Sequence, residues 1–356
     1  MTWDDAAAAT LGAHVQAALD GFLDGQQQRL APLGPDADRL LAEARACVSG
    51  GKRLRASFCW WGHEAVAPGA AEPEQLARAA ASLELLHASA LVHDDLMDAS
   101  DTRRGRPSSH RGFEGQHRGA GWPGSSEQYG AAGAILLGDL LLSWSDELLR
   151  RCGLPTDRVL AALDVLDHCR SEVVAGQFLD VSVQARGHAD VDAAMTVLRY
   201  KSAKYSVERP LHVGAALAGA DEATLRALSG FGLPLGEAFQ LRDDLLGVFG
   251  DPAVTGKPAG DDLVEGKRTV LVALALDAAP EADAALLHRS LGGPLTPAEV
   301  DRLRAILTDS GARAQVEQVI EALTEKALAA LEAAPLDRGA VEVLRGLADA
   351  ATRRVV

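Results

Sequence analysis

Apolar residues recur every three to four positions along almost the whole chain, which is the spacing of one face of an α-helix. This pattern predicts long helices over residues 76–92, 131–149, 158–174, 193–207, 225–249 and 314–331. Glycine and proline residues between these segments mark turns. No segment alternates apolar and polar residues long enough to predict a strand. We therefore predict an all-α protein of roughly 10–13 helices.

The chain is predicted to form a single domain over residues 1–356, because no stretch has the composition of an interdomain linker. Residues 100–127 lack helical periodicity and are rich in Gly, Ser, Arg and His. An irregular stretch of this length inside a compact domain is typical of a lid or a binding loop. We predict a lid or binding loop for its first half, whereas the Gly-rich second half is also consistent with a plain surface loop.

The amino-acid composition supports helices packed on helices and argues against one class of function. Hydrophobic residues make up 47% of the chain and aromatic residues only 4%. The formal net charge is −15, from 35 basic and 50 acidic side chains. Such a balance argues against general nucleic-acid binding, which needs a basic surface to displace counterions. A local basic pocket for a diphosphate stays possible.

Cysteine usage and hydropathy indicate the compartment. The four cysteines form no CxxC pair and no zinc-like spacing, which favours reduced thiols. No charged-then-apolar signal segment opens the sequence, and no apolar stretch approaches the roughly 18 residues that a membrane span needs. We therefore predict a soluble, cytoplasmic protein without stable membrane insertion.

Two aspartate clusters interrupt apolar, helix-forming sequence. The first contains Asp94, Asp95 and Asp98, and the second contains Asp243 and Asp244. Neighbouring carboxylates on a partly buried helix are costly, because like charges repel and desolvation adds to the cost. Helical spacing places Asp94 and Asp98 on one face. We infer that the clusters hold divalent cations, and magnesium fits because it combines one or two carboxylates with water and substrate phosphates.

Basic residues accompany both clusters. Residues 50–55, with the sequence Gly-Gly-Lys-Arg-Leu-Arg, precede the first cluster, and Arg103-Arg104-Gly105 follows it. Gly256-Lys257 and Gly266-Lys267 follow the second. Alone, each motif is more typical of a solvated surface. Together and in this order they favour a clamp in which cations bridge carboxylates to a diphosphate while Lys and Arg neutralise the remaining oxygens.

These motifs resemble those of the trans-isoprenyl diphosphate synthases, the polyprenyl synthetase family, and in particular its geranylgeranyl diphosphate synthases. The segments that carry the resemblance are residues 50–55, 86–98, 103–105, 138–139, 201–202 and 240–244. The resemblance implies an isoprenoid-synthase fold around a deep central cavity, usually as a homodimer. It also implies isopentenyl diphosphate and allylic diphosphates as substrates, with about two to three Mg²⁺ ions.

The resemblance assigns roles to individual residues. Asp94, Asp95 and Asp98 would hold magnesium on the allylic diphosphate, and Asp243 a further ion. The basic residues and the histidine would contact diphosphate groups. Arg103 would contact the allylic diphosphate, and isopentenyl diphosphate would be bound by Lys52, Arg55, His87 and Arg104. The leaving diphosphate would be bound by Lys201, Lys257 and Lys267. Ser202 and Gln240 would line the place where the carbocation forms. The implied reaction is ionisation, condensation and proton loss.

The second cluster departs from the family pattern at one position. Where the family usually has a third aspartate this chain has Gly247, with Asp251 four residues further on. Asp243 and Asp244 are present, so we predict that metal binding at this cluster is retained.

Small residues one turn before the first cluster bear on product length. One helical turn rises about 5.4 Å, close to the length of one isoprene unit. Ala90 and Ser89 lie four and five residues before Asp94, where members that stop at farnesyl diphosphate usually place an aromatic residue. The cavity should therefore continue past Leu86, and we predict geranylgeranyl diphosphate or a somewhat longer product.

Several alternatives remain open. Within the family, the chain could be a farnesyl diphosphate synthase or a non-catalytic subunit of a heteromeric synthase, although such subunits tend to lose the aspartate clusters. An HD-type metal phosphohydrolase would use His63, His93 and Asp94, but would leave the basic residues unexplained. A class I terpene cyclase shares the first cluster, but normally has an aromatic-rich cavity that 4% aromatic residues hardly supply.

Overall fold

Helices make up nearly all of the computed structural model, which describes residues 3–187, 190–250 and 260–352. Strands within these ranges are limited to one antiparallel pair, β1 (Thr102–Arg103) and β2 (Arg106–Pro107). The prediction of an all-α fold is confirmed. No helix in the described part of the chain is both long and apolar enough to cross a membrane. None of the four cysteines forms a disulfide.

The chain divides into two compact units, which we describe separately. The amino-terminal unit comprises the residues up to Asp164 together with Val213–Gly219. The carboxy-terminal unit comprises Val165–His212 and the residues from Ala220 onward. The single domain expected from the sequence stays a prediction.

Helices up to α7 begin in the amino-terminal unit. They are α1 (Asp5–Leu30), a 3₁₀ turn (Ala31–Leu33), α2 (Pro35–Val48), α3 (Leu54–Glu64), α4 (Pro73–Met97), α5 (Ser109–Gly119), α6 (Ser126–Arg150) and α7 (Thr156–Arg186). The later elements are α8 (Val191–Val197), a π-helical segment (Leu198–Glu208), α9 (Arg209–Ala218), α10 (Glu222–Phe249), α11 (Asp261–Glu265), α12 (Val270–Ala278), α13 (Glu281–Ser290), α14 (Pro297–Asp309), α15 (Ala312–Ala333) and α16 (Arg338–Thr352).

All six predicted helical segments lie in helices of the structure: in α4, α6, α7, α8 with the π-helical segment, α10 and α15. The described residues contain sixteen α-helices, more than the predicted number. The excess comes from short helices such as α8 and α11, which are too short to show an apolar period.

The expectation of irregular structure over residues 100–127 is wrong for most of that range. Residues 102–107 form the β-hairpin, and Ser109–Gly119 form α5. The buried face of α5 consists of Ser109, His110, Phe113, Glu114 and His117. Most side chains on this buried face are polar, so the hydropathy pattern of the sequence does not indicate a helix here. Glycines in α6 provide the room, because a Cβ on Gly133 would lie 2.6 Å from the Phe113 ring.

Helix α4 is the centre of the amino-terminal unit. Most of its residues from Leu76 to Val92 are buried. It packs against α6, α1 and α3. The contact with α6 is close because a Cβ on Gly138 would lie 2.1 Å from His93 Nε2. Helix α4 is therefore covered along most of its length before it reaches Asp94.

Glycine contacts in the carboxy-terminal unit hold the π-helical segment from two sides. A Cβ on Gly236 of α10 would lie 2.4 Å from the Ala203 carbonyl oxygen. A Cβ on Gly176 of α7 would lie 2.4 Å from the Lys201 backbone nitrogen. Backbone thus packs on backbone at both crossings. π-Helical turns are rare and occur frequently at functional sites, and this one carries Lys201 and Ser202.

We expect Gly236→Ala to destabilise the protein by about 1–3 kcal/mol, because overpacking a close contact forces the helices apart. Urea denaturation measures the change. Gly230→Ala in the same helix is the matched control, since its Cβ would meet only Ala330 at an ordinary 3.4 Å. The control should be neutral or gain up to about 1 kcal/mol from helix propensity. Equal stability of the two variants would contradict this account of the crossing.

Candidate functional site

The predicted site residues fall into two groups, one in each unit. The amino-terminal group is Lys52, Arg55, Leu86, His87, Ser89, Ala90, Asp94, Asp95, Asp98, Arg103 and Arg104. The carboxy-terminal group is Lys201, Ser202, Gln240, Asp243, Asp244 and Lys267. Lys257 and Asp251 lie outside the described residues.

The first aspartate cluster lies at the carboxyl end of α4. Asp94 and Asp95 are in the last turn, and Asp98 caps the helix with its backbone N–H donating to the Asp94 carbonyl at 2.8 Å. The negative end of a helix dipole disfavours anionic side chains. Carboxylates gathered at this end therefore need a compensating positive charge, which a hard divalent cation can supply.

The backbone that follows the cluster is strained. Helix α4 ends in a Schellman motif, with Ser100 N–H donating to the Asp95 carbonyl at 2.9 Å and Ala99 at φ +53°. This left-handed position normally holds glycine. Among the described residues, three that are not glycine have positive φ: Arg53, Ala99 and Arg104. All three belong to the predicted motifs or directly adjoin them, and strain of this kind clusters at functional sites.

Asp95 and Arg103 form a partly buried ion pair. Asp95 is 3% exposed, and Arg103 Nε donates to its Oδ1 at 2.9 Å and to its Oδ2 at 3.3 Å. Arg103 Nη2 also donates to Oδ1. Asp95 therefore faces inward to an arginine, while Asp94 and Asp98 follow the i, i+4 spacing predicted for one helix face.

The β-hairpin presents the two arginines. Arg103 pairs with Arg106 across the two strands, and the connecting residues Arg104 and Gly105 have φ of +52° and +72°. Positive φ at both central positions is the signature of a type I′ turn, which matches the twist of a two-residue hairpin. The turn places the Arg104 guanidinium against Gly51, whose Cβ would lie 3.1 Å from Nη2.

The Gly50-Gly51-Lys52-Arg53 segment is fixed by the buried Arg53. Arg53 Nη1 donates to Glu84 Oε2 at 2.9 Å, and Nη2 donates to the Val48 carbonyl at 2.6 Å. Both Gly50 and Gly51 have positive φ, which lets the chain turn tightly before α3. Arg53 thus anchors the segment that carries Lys52 and Arg55, the two residues for which the resemblance implies substrate binding.

His87 lies among arginines on α4. Burial lowers the pKa of His87 well below its ordinary value, and the charges of Arg55, Arg104, Arg103 and Arg53 lower it further. The imidazole is therefore neutral near pH 7. A neutral hydrogen-bonding group among guanidinium groups suits an anionic ligand such as a diphosphate.

A cavity of about 250 Å³ adjoins this group. Its lining includes Asp95, Arg103, Arg104, the Gly50-Gly51 backbone, and Leu91 and Val92 of α4. It therefore combines guanidinium groups with apolar surface. Such a lining can take an anionic group attached to a hydrocarbon.

The second aspartate cluster lies on α10. Asp244 is buried, and Gln240 Nε2 donates to its Oδ1 at 2.8 Å. The pKa of Asp244 is raised to about 7, chiefly by burial and also by the charges of Asp262 and Asp243, while the hydrogen bond from Gln240 and the charge of Lys267 oppose the rise. A crowded carboxylate of this kind also suits a divalent cation.

Lysines of the second group are held by acidic partners. Lys201 Nζ donates to Asp180 Oδ2 at 2.6 Å, and Lys267 Nζ pairs with Asp262 Oδ1 at 3.1 Å and Glu265 Oε2 at 2.5 Å. Asp180 and Asp262 lie outside the motifs that predicted the site. Asp180 is separated from Lys201 by 21 residues and lies on another helix, so no local pattern could pair them.

Comparison with known proteins decides the family. The polyprenyl synthetase family model matches residues 38–309, a range that contains both groups of residues. The chain belongs to the polyprenyl synthetase family. The resemblance predicted from the motifs is confirmed.

Relatives within the family differ in the product that their names give. A geranylfarnesyl diphosphate synthase from Aeropyrum pernix is 32% identical over 323 residues, which cover 89% of this chain and 95% of the relative. A (2E,6E)-farnesyl diphosphate synthase from Mycobacterium bovis is 36% identical over 222 residues, 62% of this chain and 56% of the relative.

A solved structure agrees over almost the entire length. It is a geranylgeranyl pyrophosphate synthase from Corynebacterium glutamicum complexed with isoprenyl diphosphate and magnesium. The TM-score is 0.94 at 40% identity, with 97% of this chain and 99% of that chain covered. The likeness confirms the fold class.

The histidines of the HD-type alternative have other contacts in this polyprenyl synthetase. His63 is buried, with Nδ1 3.1 Å from Glu64 Oε1. His93 Nε2 lies 3.3 Å from the Ile135 carbonyl oxygen in α6. In the part of the chain that the structure describes, no three His, Cys, Asp or Glu side chains are already arranged as a metal site.

We expect Ala99→Gly to raise the free energy of unfolding by about 1 kcal/mol, because glycine adopts the left-handed conformation without a Cβ penalty. Ala9→Gly, at an exposed position inside α1, is the control and should lose about 1 kcal/mol through helix propensity. Urea denaturation measures both. A destabilised Ala99→Gly protein would show that the left-handed turn carries no strain.

Proposed function

We propose that this polyprenyl synthetase is a trans-prenyltransferase that condenses isopentenyl diphosphate with an allylic diphosphate. The observation that carries the proposal is the joint presence of both aspartate clusters and their basic companions in a chain that matches the family over residues 38–309. The residue groups of the two units serve one reaction, and the product is geranylgeranyl diphosphate or somewhat longer.

A divalent metal belongs to this chemistry in the family, and we propose magnesium, with about two to three ions. Asp94 and Asp98 would hold it at the first cluster and Asp243 at the second. Asp95 would act mainly by holding Arg103. Bound magnesium would neutralise charge on the allylic diphosphate and so weaken its carbon–oxygen bond.

Side chains of the protein would bind and orient the two substrates. Lys52, Arg55, Arg104 and the neutral His87 bind isopentenyl diphosphate, whose double bond attacks the allylic carbon. Arg103 contacts the allylic diphosphate, and Lys201 and Lys267, with Lys257 by resemblance, bind it as it leaves. The departing diphosphate would take up the proton that is lost, because its oxygens become basic once the carbon–oxygen bond has broken.

Ser202 and Gln240 would stabilise the allylic cation. Gln240 donates its amide N–H to Asp244, which leaves the amide oxygen as the atom to face positive charge. Oxygen dipoles that are fixed in advance stabilise a developing charge without reorganisation. The π-helical backbone gives Ser202 its fixed position.

The proposed product length rests on the residues of α4 that precede the first cluster by one to two helical turns. Leu86 and Ser89 are each 3% exposed on α4, and Ala90 is partly buried. Small side chains at 89 and 90 would let the growing chain pass toward Leu86. Each turn of α4 accommodates roughly one isoprene unit of about 5 Å.

Assembly and compartment complete the proposal. The homodimer implied by the resemblance and the cytoplasmic location predicted from the sequence remain parts of it. Ile135 and Leu136 of α6 and Leu160 of α7 are exposed, and exposed apolar side chains of this kind support an interface between copies. Light scattering on the purified protein would test the dimer.

The reaction is tested with MgCl₂, isopentenyl diphosphate and dimethylallyl, geranyl or farnesyl diphosphate, with products sized by mass spectrometry. We expect products of geranylgeranyl length or longer, abolished by EDTA. Asp94→Asn and Asp243→Asn should lower kcat at least about a hundredfold. Asp277→Asn, an exposed charge-matched change, should leave kcat unaltered. The absence of product with every primer contradicts the function, whereas arrest at farnesyl diphosphate contradicts only the product length.

Ala90→Phe is expected to shorten the product to farnesyl diphosphate, because an aromatic ring would block the path one helical turn below Asp94. Chromatographic sizing of the products measures the shift. Ala70→Phe, in the exposed turn before α4, is the control and should leave the product unchanged. If Ala90→Phe produces the wild-type chain length, the growing chain does not pass this residue.

A further inference from the structure

Gly247 lies on α10, four residues after Asp243, where the family pattern led us to expect a third aspartate. A Cβ at this position would lie 1.8 Å from Asp262 Oδ2 and 2.5 Å from Asp262 Cγ. Separations below 3.0 Å do not occur for real Cβ atoms. The carboxylate of Asp262 therefore stands in the space that the side chain of a third aspartate would enter.

We propose that Asp262 replaces the missing third aspartate, so that α11 supplies to the second cluster the carboxylate that α10 lacks. Gly247 and Asp262 are then a compensating pair: the glycine removes one carboxylate and makes room for the other. This inference rests on the proposed function and identifies one more residue that acts at the second cluster.

Hydrogen bonding gives the two oxygens of Asp262 different surroundings. Oδ1 accepts from Lys267 Nζ at 3.1 Å, whereas Oδ2 is the atom nearest to Gly247. The carboxylate is thus anchored through one oxygen and turned toward α10 through the other. Its side chain is only 13% exposed, so this orientation is fixed by packing.

The ion pair with Lys267 and the space at Gly247 together define the position of Asp262. Lys267 is shared between Asp262 and Glu265. A Cβ at position 247 would also lie 3.1 Å from Asp262 Oδ1, so glycine at this position leaves room for the whole carboxylate beside α10.

Moving the carboxylate from position 262 to position 247 tests whether the two residues compensate for each other. Calorimetry would measure inorganic pyrophosphate binding at several MgCl₂ concentrations for the wild type, Asp262→Asn, Asp262→Ala and the double variant Asp262→Ala/Gly247→Asp. We expect Asp262→Asn and Asp262→Ala to lower the magnesium-dependent affinity for pyrophosphate about tenfold or more. The double variant should recover most of that loss, because Gly247→Asp can then enter the vacated space.

Two controls separate this role from a structural one. Asp277→Asn changes the same charge at an exposed site and should bind as the wild type does. Asp262→Asn keeps the shape of the side chain and the acceptor for Lys267, so its urea midpoint should stay close to the wild-type value. If Asp262 only positioned Lys267, its loss would weaken pyrophosphate binding equally without magnesium, and Gly247→Asp would not restore it.

Prenyl transfer measured on the same proteins distinguishes the failures. A wild type that forms no product contradicts the proposed function. If the wild type is active and the Asp262→Asn variant requires the same magnesium concentration, only the proposal of a compensating pair is contradicted. A double variant that binds no better than Asp262→Ala contradicts it as well.

Discussion

Repulsion between neighbouring carboxylates is the constraint around which both groups of site residues are built. In each cluster one aspartate is buried and bonded to a side chain of the protein: Asp95 to Arg103, and Asp244 to Gln240. Burial without such a partner would be costly, because a desolvated carboxylate needs compensation. The arrangement keeps the acids close together within the helices that carry them.

Glycines determine how closely neighbouring elements approach one another at three places in the site. Gly51 admits the guanidinium of Arg104, Gly236 admits the backbone of Ala203, and Gly247 admits the carboxylate of Asp262. In each case the missing Cβ lets a group from another element come within contact distance. The same residue type thus serves the basic segment, the π-helical segment and the second cluster, and a larger side chain at any of the three would displace its neighbour.

Backbone strain is concentrated in the amino-terminal group. Arg53, Ala99 and Arg104 adopt left-handed conformations that cost about 1–2 kcal/mol each for residues with a Cβ. The ion pair of Arg53 with Glu84 and the closure of the hairpin hold this conformation. The three conformations stand at the start of α3, directly after α4 and in the turn of the hairpin.

The helical class, the six long helices, the two aspartate clusters and the family can be predicted from the amino-acid sequence, because periodicity and motifs are local properties of the chain. The helix α5 cannot be predicted in this way, since its buried face is mostly polar and leaves no hydropathic period. Only the tertiary structure paired Asp180 with Lys201 and seated Asp262 against Gly247. These contacts depend on how elements distant in sequence cross, and side-chain spacing along one element carries no information about that.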